Sequence, residues 1–265
     1  MLTWTNMTRP GDAYRTGQQL YRRPPGLLAA FAAGGALRGG RRRRPACCVL
    51  VYLPLHRTRP VAVTADTLAF GFRAAGITRV NEASALAAVA DLDLMQARRH
   101  ATTLAGHAPR EDLTALQADA AGPVRGLSAA RQAWAGRHKP VRGMALMIDT
   151  ARDLPGGPAL DGVCEEANVI WPAARACLSG SAQPRGELPV TTAVAQALAI
   201  ALTCARYLGR YQWDGTLDIT QILAAHAWDC LSESVSVPAS SVPAPAEAGR
   251  SQHAAARGQV HAHQQ

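Results

Sequence analysis

A chain of 265 residues is long enough for one sizeable core or two small domains, and its hydrophobic fraction of 48% is that of a globular protein. Much of that fraction is alanine and only 5% of the residues are aromatic, which favours helix and a thin core. Six cysteines (Cys47, Cys48, Cys164, Cys177, Cys204 and Cys230) lack zinc-ligand spacing, and they read as small buried hydrophobes in a reducing compartment.

The net charge is +9, which points toward nucleic acid, but its distribution is uneven. Residues 1–60 carry 11 arginines against the single acid Asp12, whereas the remainder is almost neutral. Lys139 is the only lysine, a ratio that a GC-rich coding sequence also produces.

In chain order, Pro10, Pro24 and Pro25 and the glycines at 34, 35, 39 and 40 break any long helix in residues 1–45. Leu27–Leu37 has the outline of a signal h-region, but Arg41, Arg42, Arg43 and Arg44 follow it, and a positive cluster there opposes export. The segment reads as a disordered basic arm, or, functionally, as a tail attracted to phosphates or to a membrane surface. Ala46–Leu55 is an apolar, β-branched run that reads as a strand stopped by Pro54, with Val61–Val63 as a second short strand. Thr64–Ile77 reads as a helix with Leu68, Phe72 and Ala75 on one face.

From Ser84 to Leu104 the apolar residues Leu86, Ala87, Val89 and Ala90 are followed by Asp91-Leu92-Asp93 and then by a segment with Gln96, Arg98, Arg99, His100 and Thr102 on its polar side. Two short helices joined by a tight turn account for the pattern, with Asp93 as N-cap and Gln96 three residues later. Residues 111–135 continue as helix around Pro123, and Arg137, His138, Lys139 and Arg142 form a basic loop.

Met144–Leu154 reads as helix or as a strand–helix junction; Asp149 and Asp153, four apart on a helical face, are a candidate carboxylate pair better explained by surface ion pairing. Asp161–Leu178 reads as a helix ended or kinked by Pro172. Val190–Ala205 carries no charge, yet its length, threonines and glutamine suit a buried central helix better than a membrane span. Asp218–Leu231 is an amphipathic helix capped by Asp218; His226 and Cys230 are one turn apart but lack an orienting third group. Val235–Gln265 reads as a disordered Ser/Pro/Ala tail.

The stretch Ser84–Leu104 resembles the helix-turn-helix of bacterial DNA-binding proteins, with Ala87 as the small residue of the first helix, Leu92 after the turn and Gln96-Ala97-Arg98-Arg99-His100 heading the second. It departs at the turn, where Asp91 stands in place of the usual Gly. A second resemblance covers Val61–Ile77, whose Gly71-Phe72-Arg73-Ala74-Ala75-Gly76 is similar to the small central-stalk subunit of rotary V/A-type ATPases; the helical reading of the chain beyond Ile77 departs from the doubly wound fold that this family implies.

The expectation is therefore a mainly α, alanine-rich helical bundle with a possible short strand pair at 46–63. Its parts are a disordered basic arm (1–45), a helix-turn-helix-like unit (46–110), a helical domain mediating self-association (111–234) and a disordered tail (235–265). The resemblance implies a cytoplasmic protein that binds double-stranded DNA through Gln96, Arg98, Arg99 and Thr102, aided by Arg41, Arg42, Arg43 and Arg44. The alternative is a helical accessory protein without a nucleic-acid role. No catalytic residue, cofactor, metal or membrane span is expected.

Overall fold

A computed structural model describes residues 1–7, 26–35, 44–56, 59–136, 143–171 and 189–226. The expectation of a mainly α bundle is overturned: the chain builds a six-stranded mixed sheet with helices on both faces. The strands are β1 (Leu2–Thr5), β2 (Gly26–Gly34), β3 (Cys47–Leu55), β5 (Gly71–Gly76), β6 (Thr103–Gly106) and β7 (Leu146–Asp149), in the order β1-β5-β3-β2-β6-β7. β4 (Val61–Ala62) pairs with β9 (Tyr211–Gln212), and β8 (Val169–Ile170) with β10 (Leu217–Asp218), as two small parallel ladders.

The longest strands explain the misreading. In β2, Leu28, Ala30 and Ala32 enter one core while Leu27, Ala29, Phe31 and Ala33 enter the other. In β3, Cys47, Val49, Val51, Leu53 and Leu55 alternate in the same way with Cys48, Leu50 and Tyr52. A strand buried on both faces has no polar residue in alternate positions, so it reads as a continuous apolar run. Burial of a single Leu or Val here contributes about 1.5–3 kcal/mol, which outweighs the weak helix preference of the alanines.

Gly26–Gly34 lies within the stretch expected to be a disordered arm, yet it is a central strand, bonded to β3 on one side and β6 on the other. Arg41–Arg43 lie outside the described residues. Gly71–Gly76, expected as helix, pairs antiparallel with β3 and β1. Pro54, expected to end β3, sits inside it, beyond the point at which pairing with β5 stops at Tyr52.

One helical layer holds α1 (Ala83–His100), α2 (Arg110–Asp119) and α3 (Arg125–Ala135), packed on the sheet through Leu86, Leu94, Leu113, Leu116, Leu127 and Trp134. The other holds α4 (Thr150–Asp153), α5 (Leu160–Glu166), α6 (Pro189–Tyr207) and α7 (Ile219–His226). Described residues of both 46–110 and 111–234 contribute strands to this sheet and helices to its covering layers. By length and composition α6 is long and apolar enough to cross a membrane, but most of its apolar stretch is buried, against β2 and β3 among others.

The pair of short helices expected over Ser84–Leu104 is corrected by α1, which runs unbroken from Ala83 to His100. Both aspartates read as a turn are used by tertiary partners. The Asp91 Oδ1 accepts a hydrogen bond at 2.9 Å from the backbone N–H of Leu127 in the first turn of α3, a donor that has no partner within its own helix. Asp93 is buried and pairs at 3.3 Å with Arg73 of β5. The surrounding Ala, Leu, Met, Gln and Arg are strong helix formers, so nothing interrupts the helix.

Candidate functional site

The parallel part of the sheet is β2, β6 and β7, whose carboxyl ends lie on one edge. After β6 the chain passes through His107, Ala108 and Pro109 into α2, on the side of Leu113, Leu116 and Trp134. After β7 it enters α4 and α5, where Leu154, Leu160 and Val163 pack on the opposite side. Connections that leave neighbouring parallel strands toward opposite faces open a crevice between them, and this is where open α/β sheets take ligands.

A groove of about 900 Å3 lies at this point. Its lining comes from four places in the sequence: Arg44 ahead of β3, Ala108 after β6, the outward side of α2 together with Arg131 of α3, and Asp149 at the end of β7. Arg44 reaches across to Asp119 at the end of α2, with Nε 3.2 Å from Oδ1.

Asp149 organises the crevice. Its Oδ1 accepts hydrogen bonds from the N–H of Ala108 (2.9 Å) and of Ala151 (3.3 Å), the second capping α4. Its own N–H donates to Asp153 Oδ2 at 2.8 Å, and Asp153 is held in turn by Arg152. The Arg152 guanidinium beside Asp153 pulls that carboxyl below its usual range. The two carboxylates expected on one helical face are therefore a strand end and the short helix it caps, each occupied with backbone donors. Ala108 has a φ of 45°, unusual for a residue other than glycine, and its bond to Asp149 holds it there.

His107 joins the two connections. Its Nδ1 lies 2.9 Å from Thr150 Oγ1, and the imidazole also bonds the backbone at Pro158. Burial pushes His107 below its ordinary value, opposed by Asp149, the Pro158 backbone and Asp161. Thr150 is fully buried, so its hydroxyl serves packing rather than a ligand. The imidazole thus bridges Thr150 and the Pro158 backbone and acts as a strut between the two connections, while the Thr150 hydroxyl also reaches the Gly106 carbonyl at 3.4 Å. No group of His, Cys, Asp and Glu among the described residues is arranged to hold a metal ion.

Of the residues expected to contact DNA, Arg41, Arg42 and Arg43 lie outside the described residues, and among the described ones Arg44 stands apart from the others. Arg98, Arg99 and Thr102 lie where α1 leads into the amino end of β6, whereas Arg44 precedes Cys47, which pairs with Gly34 at the carboxyl end of β2. These are opposite ends of the sheet. Gln96 and Arg98 are half-buried, while Arg99 and Thr102 are exposed. Thr102 Oγ1 donates to Leu27 O at 2.9 Å, and the Arg98 carbonyl accepts from Ala145 N at 2.9 Å. The other candidate pair, His226 and Cys230, is not described at the side-chain level.

No family model, curated protein or solved structure matches the chain. The crevice residues His107, Ala108 and Arg131 escape sequence reasoning. The available signal is the short run Thr102–Gly106 ahead of His107-Ala108-Pro109, a strand followed by a break and an acidic helix start, but it merges in the sequence with the end of the preceding helix.

Proposed function

We propose that this chain binds a small polar molecule in the crevice at the carboxyl ends of β6 and β7. The observation that carries the reading is the coincidence of the large groove with the point where the connections after β6 and β7 diverge to opposite faces. The lining is mostly charged and polar, so the ligand is recognised by hydrogen bonds and ion pairs rather than by apolar packing. The capped carboxylates and the buried Thr150 hydroxyl favour binding over catalysis.

Ala118 is an exposed residue of α2 in the groove wall, so Ala118→Trp fills the groove without disturbing the core. A screen of charged and neutral metabolites by thermal shift tests the reading. It expects compounds that raise the Tm of the native chain but not that of Ala118→Trp; compounds that act equally on both contradict it.

A second reading is salt-dependent attraction of duplex DNA to the arginine-rich N-terminal part. Its support is the surplus of positive charge in residues 1–60. It does not require α1 to enter a groove. Because β1 and β2 fall in this region, deletion of residues 1–45 is a poor test. Replacement of Arg41, Arg42 and Arg43 by Gln is a better one, with titration at two salt concentrations. Weaker binding and a shallower salt slope support the reading, and unchanged binding opposes it. Arg98→Ala with Arg99→Ala tests the α1 contribution separately.

A further inference from the structure

We infer that Asp149 is the recognition point of this crevice and that the ligand presents a single hydrogen-bond donor, an ammonium or a hydroxyl, to its Oδ2. This inference rests on the crevice being a ligand site and adds the chemical group by which the ligand is held.

The formal charges of the lining cancel, with Arg44, Arg110 and Arg131 against Glu111, Asp119 and Asp149, so net charge selects no ligand. Several of the polar groups are spent within the chain. Arg44 pairs with Asp119, and the Thr114 hydroxyl turns back to donate to the Arg110 carbonyl at 2.7 Å. Asp149 differs from these. It is only 7% exposed, and it lines the groove from the end of β7. The N–H groups of Ala108 and Ala151 hold its Oδ1, which fixes the carboxylate in place. Its Oδ2 accepts no hydrogen bond and joins no ion pair among the described residues, yet it is not closed off from water. The rest of the side chain is packed away, so the groove is the side on which this oxygen stands open. Native structures pair the polar atoms of buried side chains, and a carboxylate oxygen left open at a groove is an acceptor in place for a ligand. A carboxylate only accepts, so the group that meets it must donate, and an ammonium there gains a charge-assisted bond. Because one oxygen alone is open, a single-point donor fits it, whereas the two-pronged fork of a guanidinium does not.

The test is a titration of the full-length protein with putrescine and with 1,4-butanediol, two probes of the same length that end in ammonium and in hydroxyl groups. It is run at constant ionic strength and followed through the NMR shifts of the Ala108 and Ala151 amides, which report on the Asp149 carboxylate. The comparison is between the native chain, Asp149→Asn, Ala118→Trp and Asp214→Asn. Asparagine at 149 keeps an acceptor oxygen for the two backbone donors and turns an NH2 donor toward the groove. Asp214 is an exposed charge beyond β9, away from the crevice. Saturable shifts of both amides are expected with at least one probe. The affinity falls about tenfold or more in Asp149→Asn, is lost in Ala118→Trp and is unchanged in Asp214→Asn. The tighter of the two probes identifies the donor as ammonium or hydroxyl. Equal affinity in the native chain and Asp149→Asn overturns the inference, as does equal weakening by Asp214→Asn, which marks general charge attraction. If neither probe binds but compounds from the thermal-shift screen act on the native chain and not on Ala118→Trp, the crevice reading stands and the Asp149 inference fails; if no compound does so, both fail. Should Asp149→Asn not fold, a crystal of the native chain soaked with the tighter probe decides: its nitrogen or oxygen within hydrogen-bond distance of Oδ2 supports the inference, and any other seat overturns it.

Discussion

Asp149 Oδ1 accepts a hydrogen bond at 2.9 Å from the backbone N–H of Ala108, and this bond ties the end of β7 to the turn that follows β6. Asp149→Ala removes the acceptor for Ala108 and the cap of α4 together, and leaves a partly buried N–H unpaired. A loss of about 2–3 kcal/mol is expected from urea denaturation. Hydrogen exchange at Ala108 is expected to quicken by more than the global loss of stability explains. Ala108→Gly relieves the positive φ of 45° without touching the bond, so the same measurement is expected to show a small gain, about 0.5–1 kcal/mol.

The junction of α1 and α3 gives a second prediction. A Cβ on Gly126 would stand 2.1 Å from the carbonyl oxygen of Asp91, a backbone atom that cannot swing aside. The Asp91 carboxylate meanwhile holds the N–H of Leu127 one residue on. Gly126→Ala is expected to cost about 2 kcal/mol or more, because the two helices must part. Asp91→Asn, which keeps the acceptor oxygen, is expected to cost less than Asp91→Ala. If Gly126→Ala melts with the native chain, the close approach of these helices is wrong.

Two titratable groups, the half-buried His107 and the buried Asp93, act on stability in opposite directions. Burial holds His107 below its ordinary value of 6.5, so the unfolded chain takes up a proton first as the pH falls. The stability from neutral His107 is full above 6.5 and is lost as the pH falls from there toward the folded value. Burial raises Asp93 above 3.8, with Arg73 opposing, so here the folded chain takes up the proton first. Stability therefore rises as the pH drops through the folded value toward 3.8. His107→Gln is expected to flatten the fall in Tm below pH 6.5. Asp93→Asn is expected to match or exceed the native Tm at neutral pH and to lose the gain in acid.

Cys47 and Cys204 are buried and pushed up to about 12, as is Cys164, and burial also drives Cys48 well above its ordinary value. As thiols rather than thiolates they are expected to resist alkylation at pH 8 in the folded protein and to react on unfolding. Mass spectrometry of peptides after iodoacetamide treatment, with and without urea, reads this directly. Fast labelling of Cys48 in native buffer would contradict the packing of β3 between its two layers.

Part of this architecture is legible in the sequence. Cys47–Leu55 announces itself as a strand through its β-branched apolar run, and Asp218 caps α7 as its position predicts, accepting from Thr220 N at 2.8 Å. β2 is hidden because its composition, Gly and Ala around Leu and Phe, carries no strand propensity; it becomes a strand because β3 and β6 supply ladders on both sides. Asp91 and Asp93 mislead for a related reason. Their local preference is for turns and caps, but one caps a different helix and the other pairs with a strand. The crevice is illegible because its parts stand far apart in sequence. Arg44, Ala108, Arg131 and Asp149 meet only once the order of strands is known.

The most direct test of the crevice as a ligand site is a crystal structure after soaking with a diverse set of small polar fragments. Fragments are expected to collect at the carboxyl ends of β6 and β7, in contact with Ala108, Thr114 and Asp149. Fragments that bind elsewhere while this groove holds only ordered water would contradict the claim that the crevice is the site.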